Sequence, residues 1–192
     1  NRAASSQCGS ADVLSELGVA IELPGPAVAR CVEEVGIGFA FAPVFHPALR
    51  HAGPVRREIG VPTVFNILGP LANPARPAAA MIGCAKLRLA PVMADVLADR
   101  GTNALVVRGS DGLDEVTIFS DTEVWDATRD RAVTLDSISL ARTGVSEGLA
   151  SELKGGTAEL NARIARDVFA GNTDGPLQAV RDAVALNTAA SL

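Results

Sequence analysis

Asp111-Gly-Leu-Asp114-Glu115 puts three carboxylates into five residues, directly after an apolar stretch, Ala104 to Val107, that reads as a strand. In open parallel sheets, ligands gather beyond the carboxyl ends of the strands. Adjacent carboxylates there are hard oxygen donors suited to Mg²⁺, which takes one or two carboxylates together with substrate phosphates. The spacing is not that of an EF-hand loop, which needs alternating Asp/Asn before its Gly. A solvated acidic turn explains the same residues equally well, so the pattern alone leaves both readings open.

Two further groups have chemical potential. Asn1-Arg-Ala-Ala-Ser-Ser6, followed by Gly9-Ser10 at the start of a helix, offers hydroxyls and free backbone N–H groups, which suit a phosphate. Taken alone, an ordinary Ser-rich loop ending in a capping Ser is the better reading. Arg56 and Arg57 are neighbours in a helical stretch, so at most one of them faces a cleft. Arg56 carries a planar fork matched to a carboxylate, although a surface ion pair is the commoner role. His46 and His51 are too few and too isolated for a metal cluster and read as packing residues. No Ser-His-Asp or Cys-His arrangement, GxGxxG or Walker motif is present, so covalent catalysis by a protein nucleophile has no support.

The elements that must carry these groups follow from periodicity and punctuation. Short helices are expected at Ala11 to Leu17, with Ser10 as N-cap, and at Pro26 to Val35, closed by Gly36. Ile37 to Ala42 reads as a buried strand, with helical pieces at His46 to His51 and Pro54 to Ile59. Gly60, Pro62, Gly69, Pro70, Pro74 and Pro77 break the next stretch into loops and short segments. Strand Ala78 to Cys84, helix Leu87 to Asp99 with an apolar face of Leu89, Val92, Met93, Val96 and Leu97, and strand Ala104 to Val107 form a right-handed βαβ unit. From Val116 to Leu135, apolar residues among Thr, Ser and Asp indicate antiparallel strands near a sheet edge. Helices at Ala158 to Phe169 and Pro176 to Ala190 close the chain. The expected fold is a single α/β domain with a mostly parallel central sheet flanked by helices.

Composition narrows the classes. Apolar residues make up 48% of the 192 residues and charged residues 20%, which supports a folded core; aromatics, at 4%, leave that core to Ala, Val, Leu and Ile. A net charge of -5 and the lack of a basic run argue against nucleic acid, while a local cluster of donors can still bind an anion. Cys8, Cys31 and Cys84 show no paired spacing, as expected of a reducing cytoplasm. No apolar run is long enough to span a bilayer. The chain opens on Asn inside a motif, so a fragment with residues missing upstream is expected.

In order and surroundings these blocks resemble the anthranilate phosphoribosyltransferases over essentially the whole chain. Asn1-Arg-Ala-Ala-Ser-Ser and Gly9-Ser-Ala-Asp-Val-Leu match the family's KHGNRxxSSxxGSADVLE segment without its first three residues. Gly36-Ile-Gly-Phe-Ala-Phe-Ala-Pro and Phe45-His-Pro-Ala-Leu-Arg-His follow. Next come Val55-Arg-Arg-Glu-Ile-Gly and Thr63-Val-Phe-Asn-Ile-Leu-Gly-Pro-Leu-Ala-Asn-Pro, the most distinctive block. Asp111-Gly-Leu-Asp-Glu and Arg181-Asp-Ala-Val-Ala-Leu-Asn-Thr-Ala-Ala complete the match.

The resemblance implies a phosphoribosyltransferase-type α/β domain over 1–192, incomplete at its amino end, with 46–60 contributing helices to a helical domain. It implies transfer of phosphoribose from phosphoribosyl pyrophosphate to anthranilate, in tryptophan biosynthesis, by a cytoplasmic homodimer. Asn1, Arg2, Ala3, Ala4, Ser5, Ser6 and Ser10 would line the phosphoribosyl pyrophosphate site. Asn1 and Arg56 would contact anthranilate, with Pro43, His46, Leu49 and Pro70 bordering its channel, and Asp114 and Glu115 would bind Mg²⁺. The family's GTGGD loop and NxST segment do not occur here, so the chain by itself is expected to be inactive. Two alternatives remain: a nucleoside phosphorylase-like enzyme, whose base-binding motif differs from the 55–74 block, and a non-catalytic nucleic-acid-binding relative, which the acidic charge disfavours.

Overall fold

The computed structural model describes residues 8–51, 58, 65–129 and 132–192. The chain divides into two compact units, one comprising residues up to Gly69 with Gly155–Arg166, the other Pro70–Lys154 with Asp167–Leu192.

In the first unit, α1 (Ser10–Glu16) starts one residue earlier than its sequence suggests. Gly9, not Ser10, is the N-cap, because the Asp12 carboxylate reaches back to accept the Gly9 N–H at 3.0 Å. At the other end of α1, the Arg166 guanidinium donates to the Glu16 carbonyl at 2.5 Å, satisfying one of the orphaned acceptors. Helix α2 (Gly25–Val35) has Pro26 in its first turn and stops where Gly36 takes φ 85°. Ile37 to Ala42 does not form the expected strand: it has no partner strand among the described residues, and Ile37 is exposed. The segment instead runs back along α2, where a Cβ on Gly38 would lie 2.9 Å from methyls of both Val28 and Val32. This course delivers Phe39 and Phe41 to a small core of Ala11, Ile21 and Leu14. Helix α3 (Ala42–Phe45), a 3₁₀ turn (Pro47–His51) and α4 (Phe65–Leu71) follow, the last with Pro70 inside it. Of the expected helical piece Pro54 to Ile59, only Glu58 lies within the described residues, and it is helical.

The second unit is built on a four-stranded sheet in the order β1 (Ala79–Gly83), β2 (Asn103–Gly109), β3 (Thr122–Arg129), β4 (Ala132–Ile138). Helix α5 (Ala90–Asp99) connects β1 to β2, which pair in parallel with Met81 opposite Leu105. The remaining two pairings are antiparallel, so the expectation of a mostly parallel sheet is met only at β1–β2. The reason is connectivity: no crossover helix joins β2 to β3, whose link folds back through the Ser110–Asp121 bond, and the two residues between β3 and β4 permit only reversal. β2 reads as a near-continuous apolar run because it has a neighbour on each side, and Ala104, Val106, Val107 and Gly109 are all buried. β4 keeps Thr134, Leu135, Asp136 and Ser137 exposed, as an edge strand does.

Helix α5 buries Met93 and Leu97 of the expected face and half-buries Leu89 and Val96, but its inward face is rotated toward the alanines. Ala90, Met93, Ala94, Leu97 and Ala98 are buried, while Val92 is half exposed. Three alanines let the helix approach the sheet closely, so small volume decided the face more than hydrophobicity. Val107, Val116 and Val124 form a second cluster, against which Leu186 and Ala190 of the last helix, α8 (Pro176–Ser191), are packed. Between β4 and α8 lie the short helix α6 (Leu140–Thr143) and α7 (Ala158–Phe169).

Candidate functional site

The site in the second unit is made by the loop leaving β2. The Gly109 N–H donates to the Leu113 carbonyl at 2.9 Å, and the Gly109 carbonyl accepts from Gly112 at 2.8 Å. Gly112 takes φ 98°, a conformation that a side chain would strain. Asp111 is spent inside this loop. One of its oxygens accepts the Leu113 N–H at 3.0 Å and the other accepts the Thr117 hydroxyl at 2.7 Å. Ser110 and Asp111 are tied to the start of β3 through the Asp121 carbonyl and the Ser120 hydroxyl. Val116, Thr117 and Ile118 are buried but lie in the loop and not in a strand, so β3 begins at Thr122, later than the pattern from Val116 suggests. Thr117 explains the delay, since its N–H is taken by the Thr122 hydroxyl and its own oxygen accepts the Phe119 N–H.

With Asp111 engaged, the loop presents Asp114 and Glu115, both exposed as residues. They lie where the parallel strands end: the glycine that closes β1 leaves room for Asp114, and the one that closes β2 leaves room for Asp111 and Thr117. A Cβ at Gly83 would lie 2.6 Å from the carbonyl carbon of Asp114 and closer still to its oxygen. A Cβ at Gly109 would lie 2.9 Å from the Thr117 methyl and closer to the Asp111 carboxylate. Arg108 holds the neighbouring turn in place, with an ion pair to Glu123 at 2.9 Å and a bond to the Ala85 carbonyl at 3.3 Å.

Although Glu115 is exposed as a residue, its carboxyl end is sheltered enough by surrounding protein for burial to raise its pKa. The adjacent Asp114 charge raises it further. Two like charges held side by side, that of Glu115 partly desolvated, form a site that a cation relieves. No cluster of three or more His, Cys, Asp or Glu suited to a metal occurs among the described residues. The pair therefore fits an ion that draws its other ligands from phosphate and water, as Mg²⁺ does, and does not fit a closed all-protein cage.

Asp114 also lines a broad groove of about 1340 Å³ beside β1, together with Pro70, Arg76, Met81 and Arg100. The structure thus brings two residues singled out in the sequence, Pro70 and Asp114, to one concavity. In the first unit, Ser10 occupies the first turn of α1, Pro43 the first turn of α3, and half-buried His46 the position just after α3. The backbone of Leu49 lies in the 3₁₀ turn. Asn1, Arg2, Ala3, Ala4, Ser5, Ser6 and Arg56 fall outside the described residues. Sequence reasoning missed Gly83, Gly109 and the loop-building role of Asp111. A glycine closing each of two parallel strands ahead of a polar turn was the available signal.

A model of the "Glycosyl transferase family, a/b domain" matches residues 1–192. The chain belongs to this glycosyl transferase family. Within it, the anthranilate phosphoribosyltransferase of Saccharopolyspora erythraea is 58% identical over 192 residues, covering 100% of this chain and 53% of that protein. Among solved structures, anthranilate phosphoribosyltransferase from Thermus thermophilus superposes with a TM-score of 0.88 at 42% identity, over 100% of this chain and 55% of that one. The Saccharomyces cerevisiae enzyme in complex with PRPP and Mg gives 0.85 at 28% identity, over 98% and 52%. The α/β fold is therefore the one these transferases have. The chain spans about half the length of the relatives it matches.

Proposed function

We propose that the whole protein is an anthranilate phosphoribosyltransferase of tryptophan biosynthesis and that this chain supplies most of its α/β portion. The observation that carries the reading is the exposed Asp114–Glu115 pair at the carboxyl end of the parallel strands, in a chain similar along its whole length to proteins of that name.

Asp114 and Glu115 would hold Mg²⁺, which when bound would supply charge neutralisation for a departing pyrophosphate. Asn1 to Ser6 and Ser10 hold the phosphoribosyl pyrophosphate. Arg56 grips the anthranilate carboxylate and Asn1 contacts the same molecule, while Pro43, His46, Leu49 and Pro70 border its approach. The anthranilate nitrogen bonds to C1 of the ribose as the bond from C1 to the pyrophosphate oxygen breaks, and the proton the nitrogen then sheds passes to pyrophosphate or water. The nucleophile is a neutral aniline, so no strong base is required, and the rate comes from alignment and charge neutralisation. The helical pieces within 46–60 join a helical domain through which two copies pair in the cytoplasm.

Loss of anthranilate fluorescence on mixing with phosphoribosyl pyrophosphate and Mg²⁺ measures the reaction. The protein extended to the length of its relatives turns over, and D114N/E115Q in it slows the rate by about a hundredfold or more. The 192-residue chain alone gives little or no turnover. An extended protein that ignores Mg²⁺, or whose acidic pair is dispensable, overturns the proposal.

A further inference from the structure

The last helix contributes no ligand to the acidic loop, yet one of its side chains holds that loop. Asn187, on α8, accepts the Val116 N–H through Oδ1 at 3.0 Å and donates from Nδ2 to the Val116 carbonyl at 2.8 Å. The same Nδ2 also donates to the Ala183 carbonyl at 2.9 Å, so both of its protons are used. These three bonds fix the amide one way round, since a flipped amide would set donor against donor at Val116.

Val116 is 2% exposed, and its side chain belongs to the Val107–Val124 cluster on which Leu186 and Ala190 rest. Its peptide groups therefore have no water to turn to if the amide is lost. The acidic pair is consequently gripped from both ends. The Asp114 carbonyl seats against Gly83, and the residue after Glu115 is clamped at both backbone polar atoms.

We infer that Asn187 is a positioning residue that sets the direction of the Asp114 and Glu115 carboxylates for cation binding. The inference rests on the reading of that pair as cation ligands. Its clamp joins residues 71 apart in sequence, so the loop depends on α8 being docked.

The test uses the 192-residue chain, ¹⁵N-labelled, with MnCl₂ as paramagnetic probe. In the unsubstituted chain, Mn²⁺ selectively broadens amides around Asp114 and Glu115, and D114N/E115Q abolishes the effect. Asn187→Ala speeds hydrogen exchange at the Val116 amide by at least about tenfold. It also raises the Mn²⁺ concentration needed for the same broadening about tenfold. Asn187→Gln, which keeps the amide's donor and acceptor on an arm one methylene longer and so misplaces the clamp without adding charge, falls between and serves if the alanine variant does not fold. Val180→Ala, about two turns earlier on α8, changes thermal stability without moving the Mn²⁺ response. Normal Mn²⁺ binding in both Asn187 variants, beside its loss in D114N/E115Q, overturns the positioning role and leaves the ligand pair standing. No selective broadening in the unsubstituted chain overturns both.

Discussion

Replacing Gly83 by Ala asks for space that the acidic loop already fills. The added methyl carbon would sit 2.6 Å from the Asp114 carbonyl carbon, whereas ordinary contact begins near 3.4 Å. One of the two must retreat by at least 3.4 − 2.6 = 0.8 Å, and more once the carbonyl oxygen is considered. The obstacle is backbone, so no rotamer change relieves it. The strand is held by its parallel pairing with β2, opposite Val107. The loop is held by the Gly109–Leu113 bond and the Asn187 clamp. Overpacking of this kind costs about 1–3 kcal/mol, and a broken buried hydrogen bond costs a similar amount. A total of about 2–6 kcal/mol corresponds to a fall of roughly 4–24 °C in Tm for a chain of this size. Thermal unfolding followed by circular dichroism reads the fall. Chemical shifts at 113–116 report the moved loop. Gly69→Ala is the control, because nothing among the described residues beyond its chain neighbours lies within 4 Å of a Cβ there and the residue is helical, so that variant holds or gains stability. A Gly83→Ala chain that melts within a degree of the parent, with the loop shifts unchanged, would show that the close approach has no energetic meaning.

Glu115→Gln tests the strained pair by pH. Burial, and then the charge of Asp114, raise the folded-state pKa of Glu115 above its ordinary value of 4.5. A raised carboxyl pKa means that the ionised form is disfavoured in the folded chain. Its stability is therefore fullest below the unfolded value and is lost as pH rises through the folded one. Without metal, the glutamine variant melts higher than the parent near pH 7, and the gap closes toward pH 4. Equal melting temperatures at every pH would remove the strain from the argument. Asp111→Ala removes the acceptor for both the Thr117 hydroxyl and the Leu113 N–H, at a cost of about 1–3 kcal/mol. It lowers the midpoint of urea unfolding at constant m-value, and an unchanged midpoint would mean that Asp111 is an ordinary solvated acid.

Much of the second unit was legible because its signals are local. The apolar runs that became β1 and β2, the intervening helix, and the Gly and Pro at element ends each act over a few residues. The stretch 116–135 was read as antiparallel strands, as β3 and β4 are, and the sheet was over-read as mostly parallel only because the β1–α5–β2 unit was given too large a share of it. The face of α5 was only partly foreseen because large apolar residues were given the core, whereas Ala90, Ala94 and Ala98 permit the closer approach. Residues 37–42 are apolar enough for a strand, but a strand needs a neighbour, which composition cannot supply. Asp114 and Glu115 could be named as candidates from sequence. Nothing in five residues, however, distinguishes them from Asp111, whose carboxylate is committed to the loop by bonds to Leu113 and Thr117.

What separates a solvated acidic turn from a cation site is the cost of holding like charges together, and here that cost is borne at a distance. A free turn would let Asp114 and Glu115 swing apart into water, where mutual repulsion is about 1 kcal/mol or less. This loop holds the backbone that carries them by four contacts drawn from different parts of the chain. They are the missing side chain at Gly83, the inward-turned carboxylate of Asp111, the Val116 side chain in the core, and the amide of Asn187. None of the four would offer an oxygen to an ion, yet on the proposed reading each limits how far the backbone of Asp114 and Glu115 can shift. Prearranged repulsion would then destabilise the empty loop, and the same arrangement would spare an arriving cation the work of gathering its ligands.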